Sequence, residues 1–369
     1  MAATLSEAQR VAGRDSRHIW AVDSTLWTKP LSAPRHAALA GLDHFVLRNK
    51  RFRAPISIMR DKLRWKVPVA LESADIIHLH NVNGLVSVGE LARSYPDKRI
   101  IWTLHDMNPF TGACHYTLGC SNFARDCASC PAVREPFQAL VQSNFKRKLA
   151  ELDGLDNLHL VSPSRWLGSE VGASRLMSRF PQSVVNNPLN PLFLGSELTS
   201  DTPIHTFVVV AQNLEDPVKN VPDAVRAFSQ LKRTHPEITM ALVGKGGERY
   251  AGEGIEPMGH LVGRELAAAL RSSVALLVPS TMENAPMVIA EATSQGCLPL
   301  ARHVGGMPEM IKTLGHGHTF SDQQSLLQAM EKVVTLPAQE KEREALREWT
   351  RQLYSPDAVR RQYDKVYDR

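Results

Sequence analysis

Cysteine is scarce in this chain: five residues in 369, four of them between positions 114 and 130. A disulfide framework spread through the fold is thereby excluded. No run approaches the ~18 unbroken apolar residues of a membrane span. The opening MAATLSEAQRVAGRDSR has no apolar leader core. These absences point to a cytoplasmic protein. Repeats of solenoid period and low-complexity tracts are also missing, so no stacked array is expected.

What is there suits a soluble globular protein of two ordinary domains, with 43% hydrophobic and 22% charged residues. The net charge of +5 is unevenly spread. Residues 48–66, RNKRFRAPISIMRDKLRWK, carry eight basic residues against Asp61. Phe52, Ile56, Ile58, Met59, Leu63 and Trp65 lie among them. Such a segment can lie on an anionic bilayer, giving peripheral contact at the inner face of the membrane. It can equally be a solvated helix whose apolar side joins the core. No nucleic-acid-binding motif accompanies the charge, so nucleic acid is not expected as a partner.

Along the chain, β-rich runs alternate with helical stretches. They are HIWAVDS (18–24), ADIIHLH (74–80), RIIWTLHD (99–106) and LHLVSPS (158–164), then HTFVVVAQ (205–212), ITMALVGKG (238–246), VALLVPS (274–280) and CLPLARHVGG (297–306). The alternation predicts parallel sheets with crossover helices. A Pro/Asn-rich piece, NNPLNPLFLGSELTSDTP (186–203), separates the two series. The reading is an α/β chain of two Rossmann-like, doubly wound domains. Residues 1–190 make the first, with a Cys-rich loop over 107–131. A linker spans 191–204, the second domain covers 205–350, and a C-terminal helix over 351–369 packs back on the first.

Ligands in such sheets bind beyond the carboxyl ends of the strands. His78, His80, Asn81, His105, Asp106 and the segments after each later strand are therefore the residues to inspect. In VPSTMENAPMVIAEATSQGCLPLARHVGGMPEMI (278–311), a buried-strand run ends at Ser280 and a helix begins near Pro286. A helix N-terminus with free N–H groups suits a diphosphate. Glu283 could then reach a sugar hydroxyl, and Glu291 the two ribose hydroxyls.

This stretch resembles the signature of retaining family 4 glycosyltransferases, which have the GT-B fold: Glu, seven residues, Glu, then a strand and Gly-Gly-x-Pro-Glu. Here those are Glu283, Glu291 and GGMPE (305–309). The segment 210–228 resembles the family's phosphate-binding stretch, with Lys219 as its basic residue. Gln212 and Asn213 stand where the family often has Arg. ALVGKGG and MGHL resemble the loops beside the nucleotide base. The polysaccharide-building branch is similar over WTLHD…FTG…C…GC…CP (102–131).

The resemblance implies a retaining transferase that moves a hexose-type sugar from a nucleotide diphosphate sugar to a glycan or lipid-linked acceptor. Donor-binding residues would be Lys219, Asn284, Ala285, Pro286, Met287, Glu291, Gly246, Met258 and Gly259. Glu283 and His105 would meet the sugar, Asp106 would orient His105 or fix its loop, and His80 and Asn81 would lie on the acceptor side. No cofactor is required for catalysis in this reading. The family's first strand and Gly-rich turn are absent, since the chain opens in what reads as the first helix. Two alternatives stay open: a GT-B nucleotide-sugar epimerase, and a non-catalytic, truncated sugar-nucleotide-binding protein.

The cysteines are a separate matter. Cys114, Cys120, Cys127 and Cys130 could close a structural zinc site, with His115 as a substitute ligand. They could equally be ordinary thiols. Cys297 reads as core packing.

Overall fold

The computed structural model describes residues 1–19, 47–49, 51–52, 54–58, 71–82, 86–195, 205–336 and 340–369. The strand expected over 18–24 and the side chains of Met59, Leu63 and Trp65 lie outside them. The chain divides into two compact units. One gathers residues 17–185 and 366–369, the other residues 3–16 and 186–365.

The first-sheet unit is built on four parallel strands in the order β1-β2-β3-β4: Ile76–His80, Arg99–Thr103, Leu158–Ser162 and Gln182–Val184. Ile77 pairs with Ile100, and Trp102 with Leu160. Strand β3 is buried at every position and β2 at all but the first. That is the pattern of a parallel sheet covered on both faces, and it explains why these runs read as continuous apolar stretches. Helix α2 (Val88–Ser94) begins at Ser87, whose hydroxyl accepts the Glu90 N–H. Helix α3 (Gln138–Leu152) buries Val141, Phe145 and Leu152. Arg99 ties the chain's end to β2 by donating to the carbonyls of Tyr367 and Val366 at 2.6 and 2.9 Å.

The second-sheet unit holds six parallel strands in the order β10-β9-β8-β5-β6-β7. They are β5 Thr206–Asn213, β6 Thr239–Lys245, β7 Ile255–Gly259, β8 Ala275–Val278, β9 Leu298–Arg302 and β10 His318–Phe320. One face packs Phe207, Leu242, Leu277 and Leu300 with Phe228 of helix α5 (Val221–Leu231). The other packs Val208, Leu276 and Val278 with Ile289 of helix α7 (Met287–Ser294) and Met310 of helix α8 (Met307–Leu314). Each such side chain contributes about 1.5–3 kcal/mol on full burial. Gly244 has φ +138°, and a Cβ there would lie 1.8 Å from the Ala211 carbonyl, so only glycine allows β5 and β6 to close up at this point.

Two expectations at the ends are corrected. The opening helix α1 (Ala2–Val11) groups with residues 186–365 rather than with the first sheet. No single helix covers 351–369: α10 (Glu340–Tyr354) ends there, α11 runs from Pro356 to Tyr367, and only residues 366–369 group with the first-sheet unit. In the basic segment, the reading in which apolar side chains join the core holds for three residues. Phe52, Ile56 and Ile58 are buried, so they are not available to a bilayer. Ile56 forms an antiparallel bridge with Cys114.

Candidate functional site

In the second-sheet unit, the ends of β5, β8 and β9 bring Lys219 and Glu283 together. Strand β8 stops at Val278, and the loop after it runs beside the loop after β5. The Thr281 N–H donates to the Val218 carbonyl at 2.8 Å. Asn220 has left-handed backbone at φ +51° and donates from its amide to Asp223 at 2.5 Å. Arg302, at the end of β9, pairs with Asp223 and donates from Nε to the Pro279 carbonyl at 3.0 Å. This lattice leaves Lys219 Nζ 2.6 Å from Glu283 Oε1. Glu283 is buried, while a third of the Lys219 side chain is exposed at 33%.

The glycine pair explains how Glu283 is held. Gly305 has φ +60°, and a Cβ there would sit 1.9 Å from the Glu283 carbonyl oxygen. Gly306 N–H donates to that same oxygen at 3.0 Å. Gly-Gly thus serves as a seat for the Glu283 backbone. Asn284 is also buried, and Ala285 and Pro286 lead into α7 with Pro286 as its N-cap. Pro286 therefore precedes the first helical residue, Met287. Glu291 lies about one turn in, half-buried, and burial pushes its carboxyl up to about 7. Gly246 and Gly259 are left-handed at φ +79° and +66°, with Met258 exposed beside the latter. Gln212 and Asn213 are exposed; the Asn213 side chain accepts the Glu215 N–H.

The first-sheet unit presents a different set. His80 Nδ1 and His105 Nε2 are 3.1 Å apart, with their rings stacked at 5.4 Å. His78 lies 4.2 Å from His80 by ring centroids and joins the Tyr367 hydroxyl and Thr103 Oγ1, each at 2.7 Å. Burial pushes His78 down to about 3 and His105 to about 4; burial and the neighbouring imidazoles push His80 well below its ordinary range. All three are therefore neutral at pH 7. Asn81 is exposed with left-handed backbone.

Asp106 fixes the loop that follows, the second of the two roles expected of it. Its Oδ1 accepts the Asn108 N–H at 2.8 Å and its Oδ2 meets His115 Nδ1 at 2.7 Å. His115 Nε2 in turn meets Ser57 Oγ at 2.8 Å. Fully buried Lys148 donates to the Asn108 and Thr111 carbonyls at 2.5 and 3.0 Å, which fixes the loop after His105. Burial pushes its amine down to about 8.

Cys114, Cys120, Cys127 and Cys130 line one small cavity with Thr111, Thr117, Asn122 and Phe123. All are free thiols. Cys127 Sγ accepts the Gly112 N–H at 3.2 Å. Hydrogen bonding to Cys114 and to backbone N–H groups of residues 132 and 133 holds the Cys130 thiol down to about 7. Among the described residues, no three or more His, Cys, Asp or Glu side chains are arranged to hold a metal ion. The four cysteines expected from spacing to lie together do so around this cavity, with Cys114 and Cys130 hydrogen-bonded. Likewise, no described helix is long and apolar enough to cross a membrane.

Residues 205–353 match the family model described as glycosyl transferases group 1. That stretch is a glycosyl transferases group 1 domain, and the chain is a glycosyltransferase. It is 25% identical over 308 residues to WcaC of Escherichia coli K12, a protein assigned to colanic acid biosynthesis as a glycosyl transferase; the match covers 79% of this chain and 74% of that one. The fold is similar to that of sucrose-phosphate synthase from Thermosynechococcus elongatus, with TM-score 0.60 and 19% identity over 81% of this chain and 74% of that one. It is also similar to HepE of Anabaena solved with UDP, with TM-score 0.57 and 15% identity over 81% and 80%. The same protein has been solved with UDP-glucose, with TM-score 0.55 and 16% identity over 80% and 78%. The GT-B architecture expected from sequence is thus shown by two parallel-sheet units and these neighbours.

Sequence reasoning named Glu283, Glu291, Lys219 and His105 as site candidates. It missed Ser57 and Lys148, and it took His115 only as a substitute metal ligand. No local pattern marks a buried lysine in an amphipathic helix, or a serine that pairs with a histidine 58 positions on.

Proposed function

We propose that this glycosyltransferase is retaining and moves a sugar from a nucleoside diphosphate sugar to a hydroxyl of a growing polysaccharide or lipid-linked glycan. The observation that carries the reading is the Lys219–Glu283 pair, seated on Gly305–Gly306 at the entry to α7. A cation and a helix N-terminus offset the charge that develops on a leaving diphosphate. Glu283 takes a hydroxyl of the transferring sugar, and Asn284 through Met287 offer backbone groups to the phosphates. Glu291 takes the ribose hydroxyls, while Gly246, Met258 and Gly259 border the base. Because Lys219 and the helix supply positive charge, the mechanism asks for no divalent ion.

On the first sheet, neutral His105 donates or accepts a hydrogen bond at the sugar without adding charge, and His80 fixes its ring. His80 and Asn81 lie on the acceptor side. The HepE complexes with UDP and UDP-glucose motivate UDP-glucose as the first donor to try, and the likeness to WcaC motivates a polysaccharide product. Epimerisation would need an acid/base carboxylate pair, and the ends of β1 and β2 carry histidines instead. A lipid-linked acceptor would bring the protein to the inner face of a membrane, where the basic side chains of 48–66 supply attraction by charge. The test is calorimetric titration with UDP, followed by UDP release from UDP-glucose with and without a glycan acceptor. Binding with acceptor-stimulated release is expected; binding of UDP with isomerisation of the sugar and no release overturns transfer.

A further inference from the structure

We infer that Cys114, Cys120, Cys127 and Cys130 form a structural zinc site that staples the long connection between β2 and α3. The inference stands apart from the transferase reading and concerns what holds the first-sheet unit together. Residues 104–137 lead from β2 to α3 with no regular element beyond three-residue turns at Asn108–Phe110, Asn122–Ala124 and Glu135–Phe137. Connections of that length without helix or strand are uncommon in a compact fold, and backbone ladders do not hold them. The four cysteines of this connection converge on one small cavity, and all are free thiols. They stand as hydrogen-bonding thiols and not yet at ligand positions around an ion. His115 is not one of the set, because its Nδ1 meets Asp106 at 2.7 Å and its Nε2 meets Ser57 Oγ at 2.8 Å.

The surroundings of the sulfurs suit thiolates. Cys114 and Cys130 share a hydrogen bond. Two thiols in such contact stand near the ~3.8 Å that separates neighbouring sulfurs on a tetrahedral ion with Zn–S about 2.3 Å. Cys127 Sγ accepts the Gly112 N–H at 3.2 Å, and Cys130 accepts from the N–H groups of Ala132 and Val133. A neutral thiol is a weak acceptor, so three N–H groups directed at two sulfurs fit charged ligands that need support. Cys127 and Ser129 both have left-handed backbone, at φ +53° and +52°, and so does Leu118 ahead of Cys120, at +50°. Non-glycine residues hold that conformation only where their surroundings impose it. Buried Lys148 acts electrostatically on Cys127 and sets a positive charge against the net negative charge of four thiolates on a dication. Cys120 is half-buried and gives the ion a way in. Binding breaks four S–H bonds, forms four Zn–S bonds and releases four protons to solvent, with no oxidant or reductant. The site would then fix the loop that follows His105. It would also fix the strip that bridges to it through Ile56 at Cys114 and Arg48 at Val133.

The test uses the full chain, purified without a metal-affinity tag or chelator, with Zn²⁺ and Co²⁺ as probes; no step depends on UDP. Elemental analysis should find about one zinc per chain. Co²⁺ exchanged into the protein should show the sulfur-to-cobalt charge-transfer band and the visible bands of a tetrahedral thiolate site. Cys120→Ser and Cys130→Ser should each weaken zinc binding by more than the about tenfold that loss of a supporting hydrogen bond costs. Cys297→Ala, which changes a thiol in the core of the other unit, should leave it unchanged. Stripping the parent with a chelator should speed tryptic cleavage after exposed Arg125, which lies between the cysteines, and added zinc should restore protection. A parent that holds no zinc and gives no tetrahedral cobalt spectrum overturns the inference, whether or not the serine variants fold. Metal retained in full by the Cys120→Ser, Cys130→Ser double variant marks an adventitious ion only and overturns it as well. So does a non-reduced parent mass lighter by the hydrogens lost to disulfides among the four.

Discussion

The strand ends of the two sheets carry opposite chemistry. Beyond β5 and β8 stand a lysine, a buried carboxylate and a second glutamate pushed up by burial. In β1 and just beyond β2 stand three imidazoles, all pushed down and neutral. The first set suits a ligand with two phosphates and a ribose. The second suits hydroxyl groups, where directional hydrogen bonds matter and fixed charge would not help. The geometry of the second-sheet set rests on glycines and on the Asp223–Arg302 pair rather than on surface ion pairs, which contribute little.

Removing the charge from the second-sheet site is the largest expected effect. Lys219→Ala leaves Glu283 without its partner and removes the cation facing the diphosphate. Turnover should fall about 100-fold or more, by analogy with loss of one preorganised electrostatic donor. Gly305→Ala should have a similar effect by a different route. Its Cβ would overlap the Glu283 carbonyl and its φ is left-handed, so about 1–3 kcal/mol of overpacking is expected, read as a lower melting temperature together with lost activity. A Gly305→Ala protein with parental turnover would show that the seat does not position Glu283.

On the first sheet the effects should be smaller and should spare the nucleotide. His105→Ala should lower turnover about tenfold, the size of one hydrogen bond near 1.4 kcal/mol, with UDP affinity unchanged. The same histidines make an acid-stability signature. Their folded values, near 3 for His78 and 4 for His105, lie below the ordinary 6.5. The unfolded chain therefore binds protons first as pH falls. Stability should decline from about pH 6.5 toward pH 4, by at most about 1.4 kcal/mol per pH unit for each histidine. Melting curves between pH 7.5 and 4.5 should show the fall, and His80→Gln should flatten it. The smallest effect concerns residues 48–66. With Phe52, Ile56 and Ile58 in the core, binding to anionic vesicles rests on charge and should vanish by about 0.5 M salt; salt-resistant binding would point to apolar insertion.

The two units also differed in what their sequence disclosed. The strands were legible in both because sheets covered on two faces need unbroken apolar runs, as in LHLVS (158–162) and ALLV (275–278). Glu283, Glu291 and the Gly-Gly pair were legible because a signature fixes their spacing, and the structure supplies its reason in the close approach of Gly305 to Glu283. The pairing of Asp106 with His115 was not legible, since a turn through residues 107–114 folds one back on the other. Spacing did show that the four cysteines gather at one place, and they line one cavity. The basic segment left two readings open, because alternating charge and apolar residues does not say which side faces the core.

The central claim is that the second-sheet unit binds a nucleoside diphosphate through Glu291 and its neighbours. The direct measurement is calorimetric titration of UDP against the parent and Glu291→Gln at several pH values. Burial holds the free carboxyl near 7, and ribose hydroxyls favour its charged form, so binding should release a proton. Parent affinity should weaken about tenfold per unit as pH falls below 7. Glu291→Gln should bind about tenfold more weakly at pH 8, the loss of one charge-assisted contact, and should show no such slope. Equal affinity in both proteins across this range would contradict the account.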